Sequence, residues 1–311
     1  MNEAPNLCFY NRSVSSRVPL RVAAISFLNP APLLYDFEHE PTASQLSRDY
    51  AVHYTTPAAC ASELLTGTAD LGLIPIASLT PALAIVPGCT IASLDEVRSI
   101  LLLVKNPQGL SAAEALRKVR SIAADAASRS SQAYARILFE HFHQTRPEFH
   151  EQAANRPNSP AQMLADADAA LLIGDPALLA REHRAQIDAA HGGQLLWLDL
   201  AKLWREHTGL PWVAAVWAIR PEALGVGTVS AQSVCETLAA SRDAGMAHVP
   251  QLVQEWTSRL AVPPTTIHAY LTRNIHYVLD EDCVEAIVLF RKLAAGIGAL
   301  EAMPELRMLG W

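Results

Sequence analysis

The chain has 311 residues, half of them apolar and only 18% charged, and its 24 Lys plus Arg against 31 Asp plus Glu give a formal charge of −7. Charged residues make up about a quarter of an average soluble domain, so this composition implies a large core and excludes intrinsic disorder. The negative balance excludes non-specific nucleic-acid binding, which needs clustered Lys and Arg, but leaves room for a small anion held by backbone N–H groups.

Residues 1–17 read as a polar, irregular extension. The apolar run Val22–Leu28 that follows is short and broken by Ser26, so no secretory hydrophobic segment is expected. No run reaches the roughly 20 apolar residues of a bilayer crossing. The nearest, Leu71–Val86, is interrupted by Pro75, Ser78, Thr80 and Pro81. Strands are predicted at Leu20–Ile25, Leu71–Pro75, Ser99–Val104, Ser121–Ala124, Ala169–Ile173, Leu195–Leu200 and Trp212–Ile219. Between them lie helical patterns at Ser62–Thr66, Ser111–Val119, Ser131–His141, Pro176–His183 and Ala201–Thr208. From Ala231 the pattern is helical throughout: Ala231–Gly245, Val249–Leu260, Thr266–Asn274 and Glu281–Gly296, with Pro263–Pro264 as one boundary. The five cysteines, Cys8, Cys60, Cys89, Cys235 and Cys283, form no C-x-x-C pair and read as free thiols in a reducing, cytoplasmic compartment.

Alternating strands and helices signal an α/β protein, and the punctuation shows how it divides. Lys105-Asn106-Pro107 follows one strand and Arg220-Pro221 ends another, enclosing a self-contained βαβαβ stretch over about residues 108–211. Two lobes are expected: residues 18–105 plus 213–311 form the first, and residues 106–212 form an inserted second. A ligand would sit between them, where strand ends and helix N-termini converge.

Generic catalytic motifs are missing. There is no G-x-x-x-x-G-K-[ST], no G-x-S-x-G and no H-E-x-x-H. Gly225-Val226-Gly227 reads as a loop, and His141, His143 and His150 read as a solvated helix end in preference to a metal site. What remains is polar residues where strands hand over to helices. Asn29, held before Pro30, is either an Asx-turn residue or a carboxamide aimed into a cleft. Ser128-Arg129-Ser130-Ser131 offers either a plain N-cap or a carboxylate receptor of hydroxyls and free N–H groups. Gly174 permits close backbone approach, and Asp175 beside it is either a helix cap or a site residue. Val97-Arg98-Ser99 opens a buried strand.

Together these segments resemble a known family, the chorismate dehydratases of the futalosine route to menaquinone. The likeness rests on SFLN (Ser26–Asn29), DLGLIP (Asp70–Pro75), IASLDEVRS (Ile91–Ser99), SRSS (Ser128–Ser131), ALLIGDPAL (Ala169–Leu178) and TGLPWVAAVW (Thr208–Trp217), in order over roughly residues 18–220. Ala126 and Ala127 stand where that family commonly carries hydroxyls, and Asp95-Glu96 where it often carries Gly-Pro.

The resemblance implies a two-lobed periplasmic-binding-protein-like (type 2) fold with a helical C-terminal region. It places Asn29 and Ser99 at the reaction centre, with Ser128, Arg129, Ser130, Ser131, Gly174 and Asp175 holding the substrate from the other lobe. Arg129 then pairs with the substrate or with a neighbouring acid such as Asp175. The implied reaction removes water from the dianion chorismate to give 3-[(1-carboxyvinyl)oxy]benzoate, with no metal, no cofactor, no nucleic acid and no membrane partner. Two other readings share the fold: the sister enzyme that makes a carboxynaphthalene in the same pathway, and a solute-binding protein that captures its ligand without turnover.

Overall fold

The computed structural model describes residues 18–125, 129–152, 159–225, 229–303 and 305–310. The N-terminal extension with Cys8, the segment Ala126-Ala127-Ser128, and Val226-Gly227 lie outside the described residues. Two five-stranded mixed sheets form the frame. Across the first run Tyr50–Thr55 (β2), Leu20–Ile25 (β1), Leu71–Pro75 (β3), Trp212–Ile219 (β10) and Ala84–Ser93 (β4). Across the second run Glu148–Gln152 (β7), Ser121–Asp125 (β6), Ala169–Ile173 (β8), Ile100–Lys105 (β5) and Leu195–Asp199 (β9). In the first sheet β1 is parallel to both neighbours and β10 is antiparallel to both of its own. The second repeats the scheme, with β6 parallel to β7 and β8, and β5 antiparallel to β8 and β9.

The central strands β3 and β8 are buried along their whole length, which is why they read as unbroken apolar runs without alternation. Three strands had no such signal. β2 and β7 are edge strands with polar, largely exposed faces, and β4 is interrupted by Pro87-Gly88.

One boundary differs from the sequence expectation. β5 lies inside the second sheet between β8 and β9, so the chain changes lobe over residues 94–99 and not after Lys105. Lys105-Asn106-Pro107 punctuates a turn within the second lobe. There the Asn106 amide bonds both backbone groups of Leu110 at 2.9 Å, ahead of the helix Ala112–Lys118, which the Ser111/Glu114 capping box starts. The return crossing comes between the helix Leu200–Thr208, ended by Gly209 (φ +73°), and β10.

Asp70 locks the ends of three strands of the first sheet. Its carboxylate accepts from the Arg21 backbone N–H (3.0 Å) and Nε (2.8 Å), and Arg220 lies at 3.9 Å. Burial pushes the Asp70 carboxyl up, but the Arg21 and Arg220 guanidinium groups outweigh it and hold it below its ordinary value. The C-terminal helices cover the first sheet, with Ala231–Ala247 against β4 and the turn Ala31–Leu34. A single apolar cluster runs through both lobes, and a smaller one around Leu101, Met163 and Leu172 fills the far face of the second sheet. Among the described residues no helix is long and apolar enough to cross a membrane.

Gly245 sets the spacing between helix Ala231–Ala247 and the turn below it. A Cβ at this position would overlap the Pro32 carbonyl. Alanine favours a helix interior over glycine by about 1 kcal/mol, whereas overpacking a rigid contact costs about 1–3 kcal/mol. Gly245→Ala is therefore expected to lower the urea midpoint, and a raised midpoint would show that the helix can move away without loss.

Candidate active site

β1 ends beside the central strand β3, and Ser26-Phe27-Leu28-Asn29-Pro30 leads from it into the turn Ala31–Leu34. Leu28 is driven into the core, and its carbonyl accepts the Ala31 N–H at 3.1 Å. Asn29 is thereby placed on the wall of a cleft between the lobes. Its Oδ1 is buried with no hydrogen-bond partner. Leaving such a group unpaired costs about 1–3 kcal/mol, so native structures seldom do it without a functional reason.

The opposite wall comes from the second lobe. Arg129, Ser130 and Ser131 begin the helix Arg129–Arg136, and Gly174 begins the helix Gly174–Glu182. Both helices follow strands of the second sheet, so their N-termini point positive partial charge at the space between the lobes. The remaining walls are apolar: Ile25, Pro57, Pro75, Ile91, Ile100 and Ile173. Arg129 is the sole charged side chain among the described residues lining the cleft, and no carboxylate or imidazole lines it.

The lobes are closed on one another. Ser130 Oγ donates to the Ala214 carbonyl (3.2 Å) and accepts the Ala77 N–H (3.2 Å), so this hydroxyl is engaged with the first lobe. Gly174 has φ +62°, and a Cβ there would lie 3.1 Å from the Phe27 ring, a fit only glycine permits. Beside it the Leu28 N–H donates to Asp175 Oδ1 at 3.1 Å. The space left inside is about 60 Å³, well below the roughly 300 Å³ of a small-ligand pocket, so a ligand enters only when the lobes part.

The sequence candidates fall into three groups. Asn29, Arg129, Ser130, Ser131 and Gly174 line the cleft together. Ser99 and Asp175 adjoin it without lining it, and Ser128 lies outside the described residues. Ser99 is 1% exposed, its carbonyl accepts the Gly174 N–H (2.8 Å), and its hydroxyl accepts from the Tyr270 phenol (2.8 Å). The crossing that delivers Ser99 is held by Asp199, which accepts from the Val97 N–H (3.2 Å) and Arg98 N–H (2.7 Å). Burial raises the Asp199 carboxyl above its ordinary value despite these donors. Arg98 sits there at φ +66°, a conformation that side chains rarely adopt and that the paired N–H bonds help maintain.

Two participants were not singled out from the sequence. Trp212, the first residue of β10, lines the cleft at 1% exposure with an indole N–H that has no partner. Its motif, TGLPWVAAVW, was visible, but a tryptophan at a strand start reads first as core. Tyr270 acts on Ser99 from 171 residues away, so no local pattern could pair them.

Residues 20–296 match the family described as menaquinone biosynthesis. The chain belongs to that family. A chorismate dehydratase of Thermus thermophilus is 26% identical to this menaquinone-biosynthesis family member over 248 residues, covering 75% of this chain and 82% of that protein. An Archaeoglobus fulgidus protein solved by structural genomics superposes with a TM-score of 0.66 at 17% identity, covering 91% of this chain and 98% of that one. The periplasmic aliphatic sulphonate binding protein SsuA of Escherichia coli gives 0.57 at 16% identity over 94% of each chain. A Candida albicans protein described as having the generic periplasmic binding protein fold gives 0.60 at 13% identity, over 94% of this chain and 98% of that one. The family member thus has the two-lobed periplasmic-binding-protein-like fold expected from its sequence.

Burial pushes the Asp175 carboxyl up from 3.8 to about 6, against the downward pull of the Leu28 N–H. A raised carboxyl favours the protonated form, so its contribution is complete below pH 3.8 and lost as pH rises through about 6. Asp175→Asn cannot ionise. The difference in thermal midpoint, variant minus wild type, should therefore grow in the variant's favour between pH 4 and pH 7. A pH-independent difference would show that Asp175 ionises as freely in the folded chain as in the unfolded one.

Proposed function

We propose that this chain is a chorismate dehydratase, a hydro-lyase that converts chorismate to 3-[(1-carboxyvinyl)oxy]benzoate. The observation that carries the reading is the composition of the cleft. It pairs an unsatisfied neutral amide with one arginine and two helix N-termini, and no acid or base side chain lines it among the described residues. Such a site suits a dianion whose reaction needs little help from ionisable groups. In chorismate, loss of the C3 hydrogen and the C4 hydroxyl makes the ring aromatic, which supplies much of the driving force. The base is the substrate's own enolpyruvyl carboxylate. It takes the C3 proton, the C3–H electron pair becomes the new ring double bond, the C4–O bond breaks, and the proton passes to the departing oxygen as water.

The protein's part is to hold that geometry. Asn29 Oδ1 accepts from the ring hydroxyl, while Nδ2 donates toward charge developing as the C4 oxygen leaves. Arg129, Ser131 and the N–H groups opening helix Arg129–Arg136 bind a carboxylate from the other lobe. Ser99, its hydroxyl oriented by Tyr270, stands behind the Ile100–Gly174 wall and donates its own proton toward the reacting oxygens when the lobes adjust around the substrate. Closure expels water and strengthens each of these bonds. The four described cysteines are buried and free, which supports a reducing, cytoplasmic setting.

Incubation with chorismate and mass detection of a product lighter by one water tests the reading. Binding without turnover would point instead to a solute-binding protein. Asn29→Ala should lower kcat by about 10²–10³-fold with the thermal midpoint nearly unchanged. Asn29→Asp should abolish turnover and weaken binding, because it sets a negative charge against a dianion. If Asn29→Ala kept more than about a tenth of wild-type kcat, Asn29 would be a turn residue only.

A further inference from the structure

We propose that His276, Asp280 and Cys283 form a zinc site, outside the cleft, that fastens the start of the helix Glu281–Gly296 to the edge of the first sheet. The spacing is His-x3-Asp-x2-Cys, and the fold gathers it at one turn. An imidazole nitrogen, a carboxylate oxygen and the sulfur all lie within 4.8 Å of one another. Among the described residues no other three such side chains converge. Zinc–ligand distances of about 2.0–2.3 Å set tetrahedral ligands roughly 3.3–3.8 Å apart, so small side-chain rotations bring the three atoms onto one ion. Nitrogen, oxygen and sulfur together suit zinc, whereas magnesium and calcium take oxygen.

Backbone contacts and a helix cap hold the ligands in place. His276 exchanges both backbone hydrogen bonds with Ala92 on the edge strand β4, its N–H donating at 2.8 Å and its carbonyl accepting at 2.9 Å. Asp280 caps the helix: Oδ1 accepts the Cys283 N–H at 2.9 Å, and Oδ2 meets His276 Nε2 at 2.8 Å. Cys283 is fully buried, and its thiol bonds the same carboxylate. A cap and an imidazole–carboxylate pair account for Asp280 and His276, but give no role to the thiol turned onto them. The sulfur needs no opening to solvent, since the ion stands between it and the two outer ligands, where protons now join them. Those outer side chains are 23% and 40% exposed, which leaves an entry path and a fourth position for water. Zinc takes the sulfur as thiolate, and the thiol proton leaves to solvent. The ion is structural. The turn it closes joins Tyr270, which bonds Ser99, to the helix whose Phe290 packs on Tyr134.

The full chain, stripped with a chelator and dialysed, is titrated with Zn²⁺ against a chromophoric chelator and, in parallel, with Co²⁺. Saturable zinc binding, a zinc-dependent rise in thermal midpoint and a sulfur-to-cobalt charge-transfer band in the near ultraviolet are expected. Cys283→Ser should abolish that band. Asp280→Asn keeps the cap, because asparagine caps a helix about as well as aspartate, but removes the carboxylate. It and His276→Gln should each weaken zinc binding about tenfold or more, the least that losing even an outer partner of a ligand costs. Far-ultraviolet circular dichroism of both metal-free variants should match wild type. Should Cys283→Ser fail to fold, these two variants decide. The proposal is overturned by absence of the sulfur band, by a band that survives Cys283→Ser, or by zinc affinity unchanged in either Asp280→Asn or His276→Gln.

Discussion

The closed arrangement of the molecule rests on how Tyr134 meets the backbone of Val213. β3 stops at Pro75, opposite Ala215, so Trp212, Val213 and Ala214 of β10 run on with no strand on that side. The second lobe supplies what a longer strand would have supplied. The Tyr134 phenol donates to the Val213 carbonyl (3.1 Å) and accepts the Val213 N–H (3.3 Å), and Ser130 Oγ takes the Ala214 carbonyl. A register shift against β4 between Val213 and Ala215 marks the same spot as irregular. Packed rings fix the phenol: Phe290 at 4.3 Å, Trp204 at 4.9 Å and Trp212 at 5.2 Å. Without the phenol two buried backbone groups lose partners, at about 1–3 kcal/mol each.

That docking determines the chemistry available in the cleft. Because Tyr134 and Ser130 stand one turn apart on the same helix, fixing the first brings the second to the interlobe seam and the helix N-terminus to the face opposite Asn29. The wall carrying Trp212 is set by the same contact. Ser130 illustrates the tension in such a design. Its hydroxyl has one proton, which the Ala214 carbonyl already holds, so it can donate to a ligand only by releasing the first lobe. A ligand that took the Ser130 proton would therefore draw on the same hydrogen bond as lobe separation.

Much of this was legible from the residues. Strands that are mostly buried, β1, β3, β5, β6, β8 and β10, announced themselves as apolar runs, and turns such as Asn29-Pro30 and Gly174-Asp175 marked the strand-to-helix junctions that meet at the cleft. Residue order alone could not assign β5 to a sheet. Its five buried residues fit the centre of either, and the choice is made by pairing with β8 and β9 far along the chain. Nor could it separate Asn29, which faces the cleft, from Ser99, which lies behind its wall. Both are small polar residues at strand ends, and only tertiary packing decides which side of Ile100 they occupy. The edge strands β2 and β7 were missed for a simpler reason: their largely exposed residues carry no apolar pattern.

The apolar cluster that runs unbroken from the first sheet through Tyr134 into β6 and β8 gives the two lobes a shared interior. Domains with separate cores can lose structure one at a time, each with its own transition. Here the helix Arg129–Arg136 is buried against the C-terminal helix of the other lobe, so unfolding either lobe strips apolar cover from its neighbour. The two sheets are thereby coupled into one cooperative unit, and a heat-capacity trace of the chain should show a single endotherm in place of two.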